Sequence, residues 1–545
     1  MIRTNLGKVI GVFFLLQQLS HAVAAPPSLT YLYPAGVKAG TMVEVTAKGS
    51  LDPWPSTLTF NDRRLTAKPG DKKGTFVIHA APDTTPGLYW CRAISTEGVS
   101  NPRPFLVGSF PEILESQVND APATAPDVAL PAVVNGKLEK PGDVDCYKVA
   151  LQRGQTLVAA LNAHRSLKSP MDAILQVTSP SGFVLRQNHD RDGLDPRLEW
   201  TAPQDGEVVV RVFAFPAMPD SSIRFMGAED YVYRLTLTTG GYAEHPWPLA
   251  VNRHQPVPVT LMGPNLSNGT PRIVVPKGLT ESERVLTIPD VANAVSLGLE
   301  SIPCLTADAL PPGLAPPFLI SAQFQQAQQT IIIPFHGKKG VRYTITGESR
   351  ALGYPSMLML RLLDSEGMQL LRVEPNKVDA DPSTVFVPKA DGVYRLVVHE
   401  LFGAGGAGFV FRIRITAAEP DFEATLPTDR ITVSPGKPTD IALTLSGINT
   451  YNSEVEVVAE NLPAGVTMTV GTVAKKGATR TISLQFQAKN PIAAAPFQIV
   501  VRSITGPKIV RYVTTKVAEL DQPLRELWIV APPPSAAKPA PKSKN

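Results

Sequence analysis

The sequence predicts an all-β protein, built as a string of antiparallel β-sandwich domains that are Ig-like or jelly-roll-like. Its 545 residues include 53 Pro and 40 Gly, which interrupt long helices and supply turns. Short runs of alternating apolar and polar residues lie between these turns, as in half-buried strands. The same order of turns and strands occurs twice, which indicates an internal repeat. With 43% hydrophobic residues the chain can bury several cores, and its length favours roughly three to five domains.

Residues 1–24 have the features of a secretory signal peptide. Arg3 and Lys8 precede an apolar run at 9–16, and Ala22-Val23-Ala24 is a cleavage site of small residues. The run is too short for a membrane span, and no later stretch approaches about 18 uninterrupted apolar residues. We therefore expect an exported protein, secreted or held in the periplasm or cell envelope, with no transmembrane segment in the mature chain.

Residues 28–108 form the first predicted module, module A. Strand-like runs at 41–47 and 87–93 are separated by turn residues. Residues 109–130 follow as an acidic connector rich in Ala and Pro. This composition predicts a linker that cannot fold alone.

Residues 131–240 form module B, around which the rest of the chain is organised. The module opens with Gly142-Asp143-Val144-Asp145-Cys146-Tyr147 and closes with the alternating run 231–238. Apolar alternation between Gly, Pro and Asp residues is typical of an antiparallel sandwich.

Module B has a second copy at 321–417, module B′. The interval from Asp195 to Gly206 equals that from Asp381 to Gly392 (206 − 195 = 392 − 381 = 11). The strand that closes module B also recurs at the end of this copy. Equal spacing of turn residues marks a repeat.

Module A is also predicted to recur, at 244–320, as module A′. Cys91 lies as far before Phe105 as Cys304 lies before Phe318 (105 − 91 = 318 − 304 = 14). The chain is therefore interpreted as the tandem A–B–A′–B′, with the acidic connector kept only in the first unit.

The three cysteines are expected to be free thiols. Cys91 and Cys304 take equivalent places in separate modules, and a disulfide needs Cα atoms within about 7 Å. Cys146 aligns with Ile332 of module B′, which predicts a buried apolar position.

Residues 418–518 are predicted to form a last Ig-like unit, module C, and 519–545 a disordered tail. Module C alternates regularly, as in 440–445 and 480–486. The tail contains Pro532-Pro533-Pro534 and is rich in Pro, Ala and Lys.

Three stretches resemble known families. The Tyr33-Pro34-Ala35-Gly36 stretch resembles the IPT/TIG group of Ig-like domains. The Gly142 to Tyr147 stretch, with Pro180-Ser181-Gly182, resembles the bacterial pre-peptidase C-terminal domain, as carried by secreted proteins of planctomycete-type bacteria. Leu462-Pro463-Ala464-Gly465 resembles Ig-like modules of bacterial surface and polysaccharide-active proteins. The resemblance to the pre-peptidase C-terminal domain implies a secreted, non-catalytic β module, some of whose relatives bind calcium.

The sequence contains none of the common catalytic motifs. It has no Gly-x-Ser-x-Gly elbow, Cys-x-x-Cys pair or phosphate loop. The nearest text to a zinc-protease helix is His399-Glu400-Leu401-Phe402-Gly403, which lacks the second His. The net charge of +4, without a basic stripe among aromatics, argues against a nucleic-acid partner. We expect no enzymatic activity.

One acidic turn is a candidate calcium site, and calcium is the only cofactor we consider. Asp190, Asp192 and Asp195 place carboxylates around a Gly-containing turn, and calcium takes six to eight oxygen ligands. The alternative is a turn whose Asp side chains cap their own backbone amides. The cluster is largely lost in module B′.

Trp54 is the candidate binding residue. It lies in the loop Asp52-Pro53-Trp54-Pro55, whereas Trp90 and Trp200 fall within strand-like runs and are expected in cores. An exposed loop tryptophan could stack on a sugar ring.

These observations favour a non-catalytic, modular binding, adhesion or display protein with a protein or polysaccharide partner outside the cytoplasm. The alternative is an accessory subunit that targets a secreted hydrolase to its substrate. A hydrolase with an unrecognised site is the third hypothesis.

Overall fold

The computed structural model describes residues 25–115, 118–218, 224–266, 273–279, 282–375, 377, 380–449, 451–476, 479–518, 520 and 523–533. The chain folds into successive β-sandwiches, so the predicted all-β fold is confirmed. The predicted signal peptide at 1–24 lies outside the described residues, as do 534–545 of the predicted tail. No helix in the described part of the chain is long and apolar enough to cross a membrane.

Module A is a sandwich of two sheets, ordered β1-β3-β6-β5 and β2-β9-β7-β4, with β8 paired to β7. Its strands are β1 Tyr31–Tyr33, β2 Gly36–Lys38, β3 Met42–Lys48, β4 Thr57–Phe60, β5 Leu65–Pro69, β6 Thr75–Ala80, β7 Gly87–Ser95, β8 Gly98–Val99 and β9 Arg103–Gly108. In β6, Phe76, Ile78 and Ala80 are buried at every second position, because successive side chains of a strand point to opposite faces.

Module B has sheets ordered β10-β11-β18-β13-β16 and β12-β17-β14-β15. Its elements are β10 Glu112–Leu114, β11 Ala132–Lys137, β12 Asp145–Leu151, β13 Thr156–Asn162, α1 His164–Leu167, β14 Met171–Thr178, β15 Val184–Asn188, β16 Arg197–Thr201, β17 Gly206–Pro216 and β18 Val232–Thr238. A 3₁₀ turn, Pro122–Thr124, precedes β11.

The connector at 109–130 is part of module B, so its prediction as a free linker is wrong. It supplies β10, which pairs in parallel with β11. Val128 is buried in the module core. Backbone hydrogen bonds to the module, which composition does not reveal, hold this acidic segment in place.

Module A′ is a smaller sandwich with sheets β19-β21-β22 and β20-β24-β23. Its strands are β19 His245–Trp247, β20 Ala250–Asn252, β21 Val257–Met262, β22 Ile273–Val275, β23 Glu283–Leu286 and β24 Val295–Glu300. The parallel pair β20–β24 corresponds to the pair β2–β9 of module A.

Module B′ has sheets β25-β26-β33-β28-β31 and β27-β32-β29-β30, the same order as in module B. Its elements are β25 Cys304–Thr306, β26 Phe318–Gln323, β27 Thr330–Gly337, β28 Tyr343–Glu348, a 3₁₀ turn Arg350–Leu352, β29 Leu358–Leu363, β30 Gln369–Val373, β31 Ser383–Phe386, β32 Gly392–Glu400 and β33 Val410–Ala417. This matching topology supports the predicted duplication of module B.

The structure corrects the boundary between A′ and B′. Phe318 starts β26, the first long strand of module B′, whereas Phe105 lies in β9 of module A. Cys304 lies in β25, which corresponds to β10 of the connector. Cys304 is therefore not the equivalent of Cys91, and the matching interval of 14 residues was a coincidence. All three cysteines are free, as expected.

Module C has sheets β34-β36-β39-β38 and β35-β42-β40-β37, with β41 paired to β40. Its strands are β34 Asp421–Thr425, β35 Arg430–Thr432, β36 Thr439–Ile448, β37 Val455–Glu460, β38 Val466–Lys476, β39 Thr479–Ala488, β40 Ile492–Ser503, β41 Val510–Tyr512 and β42 Leu527–Ala531.

Part of the segment predicted as a disordered tail belongs to module C. All five residues of β42 are buried, and the strand lies between β35 and β40. A central strand of this sheet is thus contributed by residues beyond 518. The prediction failed because composition masked a short apolar run within a Pro-rich segment.

Equivalent arginines join each A-type module to the B-type module that follows. Arg234 of β18 is buried against Gly36 in module A, and Arg412 of β33 packs against Gly298 in module A′. Arg234 pairs with Glu112 of the connector, and Arg412 with Glu348 of β28. Each unit therefore has a docked rather than a loosely linked pair of modules.

Candidate functional site

Asp195 caps a helical turn instead of facing a metal ion. Its side chain is 3% exposed, and its carboxylate accepts backbone N–H hydrogen bonds from Ala163, His164 and Arg165 at 2.6–3.1 Å. Burial raises the pKa of Asp195 to about 6, although these three hydrogen bonds oppose the shift. Asp195 thus caps backbone amides, as in the sequence alternative, but they belong to a distant turn of the module and not to its own turn, and the carboxylate is buried.

The second copy preserves the same cap. Asp381 accepts the backbone N–H groups of Ser349, Arg350 and Ala351 at 2.9–3.0 Å. The Asp-Pro pair common to both copies is thus explained by the fold of the module rather than by a ligand.

The other two members of the predicted calcium site have different surroundings from Asp195. Asp190 is beside His189, with 3.3 Å between Oδ2 and Nε2. Asp192 forms a backbone bridge to Asp195 and lies near Arg197 at the junction with module A′. No group of three or more His, Cys, Asp or Glu residues within the described ranges could hold a metal ion. The described structure therefore does not bring these three carboxylates together as a metal site, and calcium binding at this turn stays a hypothesis.

Trp54 lies in a loop, as predicted, but is only partly available. Its ring is half-buried and packs edge-on against Phe76, with 5.3 Å between the ring centroids. Trp90 and Trp200 are half-buried rather than fully enclosed. A binding role for Trp54 stays a prediction.

A buried acid cluster lies between the connector and the core of module B. Asp145 is fully buried, and its Oδ2 accepts a hydrogen bond of 2.6 Å from the Tyr233 hydroxyl. The Tyr147 and Tyr233 hydroxyl oxygens are also 2.6 Å apart. Glu115, from the connector, lies beside Asp145, close enough for the two carboxyl groups to affect each other's pKa. The Gly-Asp-x-Asp opening of module B therefore supplies the centre of a buried polar network.

Both carboxyls of this cluster have a pKa above the ordinary range. Burial is the main cause for each, and the neighbouring Asp145 carboxylate raises the pKa of Glu115 further. The Tyr233 hydroxyl opposes the shift at Asp145, because it donates a hydrogen bond to the charged form. Perturbed acids are common at functional sites, but these two are enclosed within a module.

Module B′ replaces this network with hydrocarbon. Ile331, Ile333 and Phe411 stand where module B has Asp145, Tyr147 and Tyr233. Phe411 stacks on Phe324 with 4.6 Å between centroids. The cluster is thus a feature of the first copy alone, and the fold does not require it.

Modules B and B′ also differ at the outer surface of the four-stranded sheet, which begins with β12 in module B and with β27 in module B′. In module B′ the row Ile332, Val397, Arg361 and Arg372 crosses β27, β32, β29 and β30. Ile332 is 54% exposed, and Arg372 is exposed as well. We call this surface, with the neighbouring His399 and Val393, the open face.

The open face is basic. Arg361 and Arg372 both lower the pKa of the nearby His399, after burial, which is the larger cause. Arg372 pairs with Glu374, and the Arg361 Nε donates to Gln369 at 2.8 Å. The surface therefore combines exposed hydrocarbon with a local excess of positive charge.

The equivalent row of module B is closed by its own hydrogen bonds. It consists of Cys146, Arg211, Gln176 and Gln187. Arg211 donates to Gln176 at 3.1 Å, and Gln176 donates to Gln187 at 2.6 Å. Cys146 is fully buried, which confirms the prediction for this position. The equivalent residue of module B′, Ile332, is not buried.

The connector covers module B at the free edge of β12. The Asn119 carbonyl accepts the Cys146 N–H at 2.9 Å, and the Pro126 carbonyl accepts the Lys148 N–H at 2.9 Å. Lys148 also forms an ion pair of 3.0 Å with Asp127. An acidic segment thus lies along this edge, with the 3₁₀ turn Pro122–Thr124 between its two backbone contacts.

Shorter segments cover less of module B′: the Leu314 carbonyl accepts the His336 N–H of β27 at 2.7 Å, but Ile332 at the other end of the strand stays exposed. From β9 to β11 the connector has 23 residues (132 − 108 − 1), and from β24 to β26 only 17 (318 − 300 − 1). The loop from β17 to β18, which stacks Phe225 on Phe213 at 4.5 Å, has 15 residues (232 − 216 − 1). Its counterpart has 9 (410 − 400 − 1). Sequence reasoning missed the open face, although these two deletions could have indicated it.

Comparisons with known proteins add little to this geometry. No family model matches the sequence, and no curated protein matches it. Among solved structures, the chain is similar to the M60 catalytic domain with the CBM51-1 and CBM51-2 domains from Clostridium perfringens ZmpB, at 10% identity and a TM-score of 0.15. The match covers 72% of this chain and 46% of that chain, so this chain spans less than half of that structure's length. A TM-score this low carries no argument, and the resemblance to the pre-peptidase C-terminal domain stays a prediction.

Proposed function

We propose that this chain is an exported, non-catalytic modular protein that binds a macromolecular partner, either protein or polysaccharide, in the cell envelope or outside the cell. The open face of module B′ is the observation that carries the proposal. It exposes Ile332 beside Arg361 and Arg372, at a place where the first copy is covered by its own chain. A mixed apolar and charged surface on a rigid sheet is suited to binding.

The acid cluster supports a non-catalytic role. Asp145 is sealed inside module B and hydrogen-bonded to Tyr233, so a substrate has no direct contact with it. Asp195 and Asp381 are occupied by backbone amides. These acids have structural partners that account for their positions.

The docked modules support a role in presentation. The buried Arg234 and the partly buried Arg412 hold the two A–B pairs together, and module A contacts module C through Arg92 and Asp429. A frame of fixed modules holds a binding face at a defined orientation, which lowers the entropy cost of association.

Cell fractionation and co-sedimentation test the proposal. The protein should be recovered outside the cytoplasm, and the purified chain should co-sediment with insoluble polysaccharide or collagen, or co-purify with a partner from the medium. Co-purification with a hydrolase would favour the accessory-subunit alternative. Recovery in the cytoplasm alone, or hydrolysis by the purified chain, would contradict the proposal.

A further inference from the structure

We infer that the open face of module B′ binds an acidic, partly apolar segment of a partner protein, which reaches from the edge strand β27 across the sheet to β30. This inference rests on the proposed function and assigns its site and partner class. The chain itself provides the precedent, because residues 119–128 lie against β12 of module B. In module B′ the equivalent strand β27 carries an exposed Ile332 where module B has a buried Cys146.

The polar groups at this edge define how the segment would bind. In module B, Cys146 and Lys148 each donate a backbone N–H to the connector. In module B′ the equivalent positions are Ile332 and Pro334, and proline has no N–H to donate. The structure describes no residue that takes the place of Asn119 beside Ile332. At these two positions, only Ile332 can donate a backbone hydrogen bond to a partner segment. Side chains on the open face must therefore supply most of the affinity.

Those side chains select an acidic, partly apolar segment. Ile332 is 54% exposed and offers a contact for an apolar side chain, and Val393, 36% exposed, offers a second one four residues further along the strand pair. Arg361 and Arg372 lie in the same row across the sheet and would pair with carboxylates, which arginine binds through two hydrogen bonds; Arg372 would exchange its exposed partner Glu374 for a carboxylate of the segment. On module B the connector carboxylate Asp127 pairs with Lys148, but Pro334 takes the place of Lys148 in module B′, so the arginines of β29 and β30 would supply the positive charge instead.

A second copy of this chain is a poorer occupant. A symmetric dimer places the same surface on both sides of its interface. Two open faces would therefore bring Arg361 and Arg372 of one copy against the same cations of the other, and such like-charge contacts disfavour association.

Selection from a displayed library of random 12-residue peptides tests the inference, with the full chain as bait and the Ile332→Glu chain for counter-selection. Enriched peptides should carry net negative charge and at least one large apolar residue. By fluorescence anisotropy, a synthetic enriched peptide should bind at least tenfold more weakly to Ile332→Glu and to Arg361→Glu. Phe183→Glu should leave binding unchanged, because Phe183 is 75% exposed on module B, away from the open face.

The inference would be overturned by no enrichment over the counter-selected chain, by enrichment of basic peptides, or by an affinity that the two open-face variants leave unchanged. Sedimentation that shows a dimer lost in Ile332→Glu would overturn it in favour of self-association. The variants should keep the wild-type melting temperature, because the substituted side chains lie at the surface. If the chain is exported and binds a partner but selects no acidic peptide, the inference fails and the proposed function stands.

Discussion

Arg92 of module A donates a hydrogen bond of 2.5 Å to Asp429 of module C, 337 residues further along the chain. Both side chains are only 6% exposed. Arg430, next to Asp429, also donates to the carbonyl of Val99 at 3.2 Å. The first and last modules are therefore in direct contact, with a cleft of about 220 Å³ between them.

Breaking this pair should destabilise the contact strongly. Asp429→Ala leaves the Arg92 guanidinium buried without its partner, which costs about 3–5 kcal/mol in comparable buried pairs. We expect a lower midpoint of urea unfolding and a larger radius of gyration by small-angle scattering. Lys73→Ala is the matched control, because Lys73 and Asp52 form an exposed pair worth about 0–1 kcal/mol. Equal effects of the two variants would contradict the role of the buried pair.

Stability should fall as the pH rises through neutrality, because of the acid cluster. The folded state raises the pKa of Asp145 to about 7 and of Glu115 to about 9, whereas free carboxyl groups have a pKa of about 4. At a pH between the unfolded and the folded pKa values of these carboxyls, the folded state binds more protons than the unfolded state. The free energy of unfolding therefore decreases with increasing pH. The double variant Glu115→Gln, Asp145→Asn should have a flatter dependence of melting temperature on pH from 5 to 9.

Glu366→Gln, at an exposed turn of module B′, is the control for this measurement. It should reproduce the wild-type pH dependence. A double variant with the wild-type slope would show that the cluster does not retain its protons in the folded state.

Removal of metal should not affect stability at the predicted calcium turn. Asp195→Ala and Asp381→Ala each remove a carboxylate that accepts three backbone N–H groups, a loss of about 1–3 kcal/mol. Both variants should melt at lower temperature than the wild type, and EDTA should change neither the wild type nor the variants. A melting temperature that EDTA lowers in the wild type but not in Asp195→Ala would support the calcium hypothesis.

Substitution of glycine by alanine should destabilise the protein more at the first A–B junction than at the second. At Gly36 an added Cβ would overlap both the Arg234 guanidinium and the backbone oxygen of Leu106. At Gly298 it would overlap the end of the more adaptable Arg412 side chain and lie 3.0 Å from the Ala250 Cβ. Gly36→Ala should therefore cost about 1–3 kcal/mol, and Gly298→Ala less. The free energy of unfolding from urea titration measures both, and the reverse order would contradict the proposed packing.

The sequence alone predicted the fold class and most of the repeat. Apolar alternation, as in Phe76, Ile78 and Ala80 of β6, depends only on residues two positions apart. The common spacing of Asp195 and Asp381 to their following Gly residues also survives in the sequence, because each Asp caps the turn of its own module. Composition, in contrast, predicted a linker at 109–130 and a tail after 518, and both contribute strands.

The sequence is thus informative about local features, namely where strands and turns lie and that module B has a second copy. It does not reveal that Arg92 meets Asp429, that Glu115 reaches Asp145, or that Ile332 is exposed while Cys146 is buried. The physical reason is that exposure and pKa depend on which distant segment covers a residue. Two connecting segments are shorter in the second unit than in the first, so they cover less of the sheet, although the strands beneath keep the same order.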